Sequence, residues 1–303
     1  MTERIRIFIT GASGFVGTHL IRALTANQIE VIGLSRGKGR SEGLVRWVQG
    51  TSSEPGDWQK EIDGCHGVIN LAGEPVVGKR WSPEVKQRIR DSRVKTTSCV
   101  VDAIERAKMR PSVLISASAV GLYPKNLETA MDENTPPADD FLGEVCQEWE
   151  RAAQRVESLK VRLVLLRIGV VLGLGGGALA QMMTPFKFGV GGPVGGGKQW
   201  FPWIHIDDVV EMIVFSLNNG QVRGPVNCVA PNPVRMGEFT SELGRALHRP
   251  AILPVPGFAV QLLFGESASV VLDGQRVTPA VAEKVGYKFR FPKLDEALRN
   301  LVG

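Results

Sequence analysis

Three glycines near the start of the chain have the spacing of a phosphate-binding turn. Gly11, Gly14 and Gly17 follow an apolar segment at residues 4–10 and precede an amphipathic one. We expect Gly11 to permit a sharp turn, Gly14 to remove a side chain where a pyrophosphate would approach, and Gly17 to let a helix pack closely on the strand. The helix N-terminus would offer free backbone N–H groups to the phosphate. The pattern predicts a dinucleotide-binding turn, a purely structural turn being the alternative.

The end of the second predicted strand, residues 30–35, bears on which dinucleotide would bind. NAD enzymes usually hold the ribose diol with an acidic residue about twenty residues after the glycine motif. Here Glu30 begins the strand and Glu42 lies well beyond it, whereas Ser35 and Arg36 stand at its tip. A guanidinium is a fixed cation with a planar fork suited to a 2′-phosphate. We therefore expect NADP (NADPH) rather than NAD, an exposed loop cation being the alternative reading of Arg36.

Segments of strand and helix character alternate through the first two thirds of the chain. Strand-like segments follow the first one at residues 30–35, 44–48, 67–72, 112–116 and 160–168, and helical segments occur at residues 18–26, 83–108 and 139–158. Such alternation implies parallel pairing with right-handed crossovers. We predict an α/β fold with a Rossmann-type, doubly wound parallel sheet, whose ligand would lie at the carboxyl ends of the strands.

The pattern changes after residue 168, where we expect a smaller C-terminal substrate lobe. Residues 173–197 are rich in glycine but interrupted by Met and Phe, which favours a mobile substrate-side loop with some helix over a low-complexity linker. Residues 224–229 would return as a strand of the first domain. The predicted division is residues 1–170 plus about 200–230 for the NADP-binding domain, and about 171–199 plus 231–303 for the substrate lobe.

Composition and charge narrow the classes of partner. Of 303 residues, 43% are hydrophobic and 22% charged, and no apolar run reaches the roughly 18 residues of a membrane helix. Since the N-terminal segment reads as a core strand, we expect no cleavable signal, no membrane contact and a cytoplasmic location. The basic stretch at residues 80–95 lacks an aromatic ladder, which favours a solvated helix face over a nucleic-acid surface. The dispersed cysteines and histidines predict no metal site.

Several motifs resemble those of the extended short-chain dehydrogenase/reductase superfamily, which includes nucleotide-sugar epimerases and dehydratases. They are T-G-x-x-G-x-x-G at residues 10–17, N-L-A-G at residues 70–73 and W-I-H-I-D-D at residues 203–208. The chain is more closely similar to the "epimerase family" subgroup, on segments 70–74, 80–81, 91–93, 118–123, 169–177 and 201–205. Residues 273–277 and 286–292 are similar to the C-terminal module of that subgroup.

The resemblance implies which residues would contact NADP. They are Gly11, Ser13, Gly14, Phe15 and Val16 at the pyrophosphate, Ser35 and Arg36 at the ribose phosphate, Leu71, Ala72, Gly73 and Glu74 at the fourth strand tip, Arg93 on the long helix, Ala117 and Ser118 on the fifth strand, and Arg167 to Val171 on the nicotinamide side. By analogy, the long helix at residues 83–108 would pair in a homodimer.

The same resemblance reveals a departure from the superfamily's catalytic pattern. Members normally carry Tyr-x-x-x-Lys on the helix after the fifth strand, where the tyrosine is the acid or base and the lysine lowers its pKa. The two tyrosines here, Tyr123 and Tyr287, do not head such a motif. On the expected helix the pair falls at Leu142 and Cys146, neither of which supports the usual chemistry.

Replacement catalytic groups are therefore needed if the chain is an enzyme. Ser118 occupies the superfamily's serine position, Tyr123 lies close to a strand end, and Glu144 or Glu148 would serve as a base if buried. Trp81, Trp200, Trp203 and His205 would line a substrate pocket. The alternatives are packing in the core or at a lobe interface for the tryptophans and a hydrogen-bonded structural role for His205. Two functions stay open: an NADP-dependent oxidoreductase or epimerase-like enzyme acting on a small molecule, or a non-catalytic NADP-binding module that reports redox state to a partner.

Overall fold

An eight-stranded sheet forms the centre of the computed structural model, which describes residues 5–125, 128–187, 191–251 and 253–303. The strands in chain order are β1 (Arg6–Thr10), β2 (Glu30–Ser35), β3 (Arg40–Glu42), β4 (Val45–Gln49), β5 (Gly67–Asn70), β6 (Val113–Ala119), β7 (Arg162–Ile168), β8 (Val170–Leu172), β9 (Trp200–Phe201), β10 (Trp203–His205), β11 (Gly224–Cys228) and β12 (Val234–Arg235). The sheet order is β11-β7-β6-β5-β1-β2-β4-β3, and every neighbouring pair is parallel except β3 with β4. The predicted doubly wound parallel sheet is confirmed.

Helices cover both faces of this sheet. The described helices, in chain order, are α1 (Phe15–Ala26), α2 (Pro83–Arg106), α3 (Phe141–Gln154), α4 (Gly177–Lys187), α5 (Ile206–Asn218), α6 (Met236–Ala246), α7 (Gly257–Phe264), α8 (Ser269–Leu272), α9 (Ala280–Lys284) and α10 (Leu294–Val302). Ile7 and Ile9 of β1 pack in a core with α1 and α5, whereas Phe8 packs in the opposite core with α2. None of the described helices is both long and apolar enough to cross a membrane.

The order in which strands are added to the sheet reverses between β1 and β5. From β1 the chain proceeds to β2 and β4 on one side, and then returns to β5, β6, β7 and β11 on the other. Doubly wound sheets bind ligands in the crevice outside the carboxyl ends of the strands at such a reversal. The crevice between the carboxyl ends of β1 and β5 is therefore the candidate ligand site.

The glycine-rich segment after β8 packs on the ring of Phe15. A Cβ added at Gly173, Gly176 or Gly177 would lie 2.6, 2.7 or 2.9 Å from atoms of that ring. These glycines therefore allow a close approach to the first turn of α1, and α4 begins at the last of them, as the expectation of some helix required. Residues 188–190 of the same segment lie outside the described part of the chain. The division into two lobes stays a prediction.

Element boundaries differ modestly from those expected. Ser82 caps α2 as predicted, because its Oγ accepts the backbone N–H of Val85 at 3.3 Å and Pro83 follows it. Helix α1 begins at Phe15 rather than Thr18, with Gly14 as its N-cap. The antiparallel edge strand β3 and the small pairs β8–β10 and β9–β12 were missed, since two or three residues carry no periodic pattern.

Candidate functional site

The turn between β1 and α1 has two positions that only glycine fits. Gly11 has φ +68°, and a Cβ there would lie 2.7 Å from the carbonyl carbon of Leu71. A Cβ at Gly17 would lie 2.3 Å from the carbonyl oxygen of Gly11. The N–H of Gly14 donates to that oxygen at 2.9 Å, and within the described structure no side chain caps α1. The first N–H groups of the helix are thus left for a ligand.

Asn70, the first residue of the N-L-A-G motif, ties the crevice together. Its Oδ1 accepts the hydroxyl of Thr10 at 2.6 Å, and its Nδ2 donates to Thr97 at 2.8 Å and to Ser116 at 3.3 Å. One amide thus joins the ends of β1 and β5 to the middle of β6 and the interior of α2. Since all four side chains are buried, the motif positions the backbone of the crevice rather than offering a side chain to a ligand.

A guanidinium lies against the backbone that follows this motif. A Cβ at Gly73 would be 3.3, 3.4 and 3.6 Å from Cζ, Nη2 and Nη1 of Arg93, and such nearly equal distances place the guanidinium face-on to the glycine. Cζ also lies 5.3 Å from the ring centroid of Trp149. Arg93 forms no ion pair with any described residue, and burial lowers its pKa. A largely buried cation that forms no salt bridge is suited to receive an anion.

A second unpaired guanidinium stands at the tip of β2. Arg36 is exposed and has no ion pair with the described residues. The preceding Ser35 accepts the N–H of Gly37 at 3.1 Å, which leaves its hydroxyl proton uncommitted. The two side chains predicted to hold a ribose phosphate therefore retain free donors.

The other predicted cofactor residues differ in how exposed they are and in whether they already have partners. Ser13 is exposed and Val16 partly buried beside the turn, Ala117 is buried near the end of β6, and Val171 pairs with Ile204 across β8 and β10. Glu74 is already engaged, because its Oε1 lies 3.4 Å from Nε of Arg88 and 3.8 Å from Nζ of Lys79.

Ser118 and Arg167 meet at a carboxylate that the sequence analysis did not single out. Glu150 on α3 accepts the hydroxyl of Ser118 at 2.7 Å and both Nε and Nη2 of Arg167 at 2.9 Å. Burial by itself lowers the pKa of Arg167, but the hydrogen bonds and charge of Glu150 outweigh it, so that the net direction is upward. The guanidinium predicted to face the nicotinamide thus holds a buried ion pair.

Tyr123 is joined to the same group from the other side. Its ring is fully buried, its hydroxyl donates to Oδ1 of Asn227 at 2.7 Å, and it accepts Nη1 of Arg167 at 2.8 Å. Burial raises the pKa of Tyr123 to about 12. The role of Tyr123 as a proton donor to a ligand stays a prediction. To donate its proton to a ligand, the hydroxyl would first have to break its hydrogen bond to Asn227.

Helix α3 carries the position where the superfamily pair was expected. Leu142 and Cys146 lie on one face of this helix, and Glu150 follows one turn later on that same face. The signal available in the sequence was this acidic residue in line with two apolar ones. Glu144 and Glu148, the glutamates considered instead, are 57% and 32% exposed and both bind Arg90, so the condition that they be buried is not met.

The residues expected to line a substrate pocket divide between the core and partly buried positions. Trp203 and His205 are 1% exposed and belong to the core, where Nδ1 of His205 accepts the N–H of Asp207 at the start of α5. Trp81 packs edge-on against Phe141 at 5.1 Å. Trp200 contacts two arginine side chains of the C-terminal region. Trp203 therefore packs in the core, and His205 is a buried, hydrogen-bonded structural residue.

Comparison with known proteins agrees with this architecture. Residues 7–228 match the NAD dependent epimerase/dehydratase family, and residues 255–301 match a domain of unknown function, DUF1731. The chain is 44% identical over 305 residues to the "Epimerase family protein SDR39U1 homolog, chloroplastic" of Arabidopsis thaliana, covering 99% of this chain and 87% of that protein. It is 37% identical over 302 residues to human SDR39U1, covering 98% and 100%.

Solved structures show the same relationship. The crystal structure of human SDR39U1 (isoform 2) with NADPH has a TM-score of 0.89 at 35% identity, covering 98% of this chain and 99% of that one. UDP-glucuronic acid 4-epimerase from Bacillus cereus, in complex with UDP-glucuronic acid and NAD, shares the fold at 19% identity with a TM-score of 0.81, covering 97% and 96%. The resemblance read from the motifs is confirmed, and the chain belongs to the NAD dependent epimerase/dehydratase family.

Proposed function

We propose that the chain binds NADP(H) in the crevice between the carboxyl ends of β1 and β5. The observation that carries the proposal is the uncapped turn at Gly11 and Gly17, flanked by two guanidinium groups, Arg36 and Arg93, without ion-pair partners among the described residues. The turn and Arg93 suit a pyrophosphate, and Arg36 suits a 2′-phosphate. The NADPH of the human relative supports the same cofactor here.

We further propose an NADP-dependent oxidoreductase or epimerase-like enzyme acting on a small molecule. When bound, NADP(H) would supply or accept a hydride. Ser118 lies near the carboxyl end of β6, on the side of the sheet covered by α3. Ser118 and Tyr123 are the candidates for acid–base catalysis. The family match supports this class of reaction.

A non-catalytic NADP-binding module is the second candidate. It is favoured by Leu142 and Cys146 at the helical positions where the superfamily has tyrosine and lysine. Such a module would bind cofactor and change its affinity for a partner without turnover.

Cofactor titration tests the binding proposal. We expect NADPH to bind at least about tenfold more tightly than NADH, since a bidentate phosphate contact contributes on the order of 1–3 kcal/mol. Arg36→Ala should remove most of that preference while leaving NADH affinity unchanged, and Lys38→Ala, a neighbouring exposed cation, serves as control. Equal affinity of the wild type for both dinucleotides contradicts the proposal.

Turnover separates the two candidate functions. NADPH oxidation would be followed with a panel of aldehydes, ketones and sugars, and NADP+ reduction with the corresponding alcohols. Turnover of any member supports the enzyme, whereas tight binding with no turnover across the panel supports the module.

A homodimer through α2 and a cytoplasmic location are kept as proposals. After Pro83, the exposed side chains of α2 are polar, among them Gln87, Arg88 and Lys95, so a dimer there would depend on charged contacts. Sedimentation at low and high salt tests this, because screening weakens such contacts. One relative is named chloroplastic, so location needs its own measurement by fractionation.

A further inference from the structure

The hydroxyl proton of Ser118 is already committed to a hydrogen bond. The proton is donated to Oε1 of Glu150 at 2.7 Å, and that carboxylate is paired with Arg167 through two contacts of 2.9 Å. The three residues are 2%, 7% and 6% exposed, so water does not compete for these bonds. The donor–acceptor direction is fixed by charge, because a carboxylate in an ion pair only accepts.

This direction limits what Ser118 offers to a ligand. A serine hydroxyl has one proton and two lone pairs, and with the proton committed to Glu150 only the lone pairs remain. A carbonyl oxygen placed there would meet lone pairs and gain no hydrogen bond. A hydroxyl group brings its own proton and would be accepted.

We propose that Glu150 holds Ser118 as the acceptor for a substrate hydroxyl and takes up the proton that Ser118 relays when that hydroxyl is oxidised. The inference rests on the oxidoreductase function proposed above. The C–H bond of the alcohol carbon breaks and its hydride passes to the oxidised dinucleotide, while the O–H bond breaks and its proton moves to Oγ of Ser118. The original Ser118 proton moves to Glu150, and a carbonyl is left. The reverse sequence reduces a carbonyl.

The placement of Glu150 fits this role. It follows Cys146 by one helical turn, on the face from which the superfamily's tyrosine and lysine would act. Ser118 is directly opposite Arg167 in the β6–β7 register, so the sheet itself sets the distance between serine and ion pair. Glu150 is thus a positioning residue that acts through Ser118, and the substrate class is an alcohol.

Binding of matched probes tests the acceptor role without turnover. Ligand-observed NMR on the cofactor-free protein would compare 2-propanol with acetone, cyclohexanol with cyclohexanone, and glycerol with dihydroxyacetone. We expect at least one alcohol to bind about fivefold or more tightly than its ketone, and Ser118→Ala to bring that ratio to about one. Ser118→Ala leaves the Glu150–Arg167 pair intact. Ser216→Ala, which removes the hydroxyl of a buried serine on α5, is the control and should keep the ratio. No preference in any pair, binding of none included, overturns the proposal.

Kinetics test the relay. On a substrate found in the turnover panel, Glu150→Gln should lower kcat about 100-fold or more. Its KM and its Kd for NADPH should stay within about threefold of the wild-type values, and its pH profile of kcat should be flatter. Glu150→Asp should restore part of the rate. A Gln variant with lower thermal stability but a parallel pH profile overturns the relay. If the wild type prefers alcohols yet turns over nothing, the proposed enzyme function fails while the acceptor role stands, so the two failures are distinguishable.

Discussion

Asp208 accepts the backbone N–H of Phe291 at 3.0 Å, and this bond attaches the last part of the chain to α5, a helix that packs on the Rossmann sheet. The same carboxylate accepts the N–H of Arg290 at 2.7 Å and the hydroxyl of Tyr287 at 3.2 Å, and it is fully buried. Asp208 is the last residue of the W-I-H-I-D-D motif, and its partners belong to segment 286–292. Two motifs recognised separately in the sequence are therefore bonded to each other.

Replacing Asp208 should destabilise the protein strongly. Asp208→Asn exchanges one acceptor oxygen for an NH2 group that faces backbone or hydroxyl donors, and we expect a loss of about 2–4 kcal/mol in the free energy of unfolding. Denaturant titration measures it. Asp207→Asn, whose side chain is 38% exposed, is the control and should cost less than about 1 kcal/mol. An Asp208→Asn variant as stable as the Asp207→Asn control would show that the hydrogen bonds between Asp208 and segment 286–292 contribute little to stability.

Arg93 should contribute to cofactor affinity through its charge. Arg93→Gln removes the unpaired cation beside Gly73, and we expect NADPH affinity to fall about tenfold or more. Gly73→Ala should act in the same direction, because its Cβ would lie 3.3 Å from Cζ of Arg93. Fluorescence titration of NADPH gives both values. Arg90→Gln, on the same helix but paired with Glu144 and Glu148, should bind normally; unchanged binding by Arg93→Gln argues against a phosphate at this guanidinium.

Tyr123→Phe separates a linking role from an acid–base role. Loss of the hydroxyl leaves Asn227 and Arg167 each one bond short, so we expect stability to fall by about 1–3 kcal/mol, with NADPH affinity retained. If the relay through Ser118 operates, turnover should change by less than about fivefold. Tyr287→Phe, which removes another buried hydroxyl, controls for stability. A large loss of kcat in Tyr123→Phe alone would restore Tyr123 as the catalytic acid.

His205 should make stability depend on pH below neutrality. Burial lowers its pKa below the ordinary value near 6.5, against the opposing charges of Asp207 and Asp208. Between the two pKa values the unfolded chain binds more protons than the folded one, so this contribution is complete above about pH 6.5 and is lost as the pH falls, by up to about 1.4 kcal/mol per unit.

Thermal or denaturant unfolding at pH 7.5 and 5.5 checks this sign. His205→Asn keeps an acceptor for the N–H of Asp207 but cannot titrate, so its stability should change less between the two pH values than that of the wild type. His248→Asn is the control, since His248 is exposed and has φ 52°, which asparagine tolerates. A wild type that is more stable at pH 5.5 would show that the sign is wrong.

Local patterns predicted the glycine turn and the parallel sheet with good accuracy. Gly11 and Gly17 were assigned steric roles from spacing alone, because a strand–turn–helix unit depends on neighbours within about ten residues. Strand β2 was predicted at its observed bounds since its buried residues are consecutive. The two- and three-residue strands were missed because their pairing partners lie far away along the chain.

The sequence by itself determined the fold class, since glycine spacing and apolar periodicity are local properties, and its motifs indicated the family through their resemblance to known members. Only the tertiary structure decided what the polar side chains do. Glu150 and Arg167 are 17 residues apart, and Tyr123 and Asn227 are 104 apart, so their bonding depends on how strands and helices stack. Whether a glutamate is solvated or buried in an ion pair is set by that stacking, and no local pattern carries it.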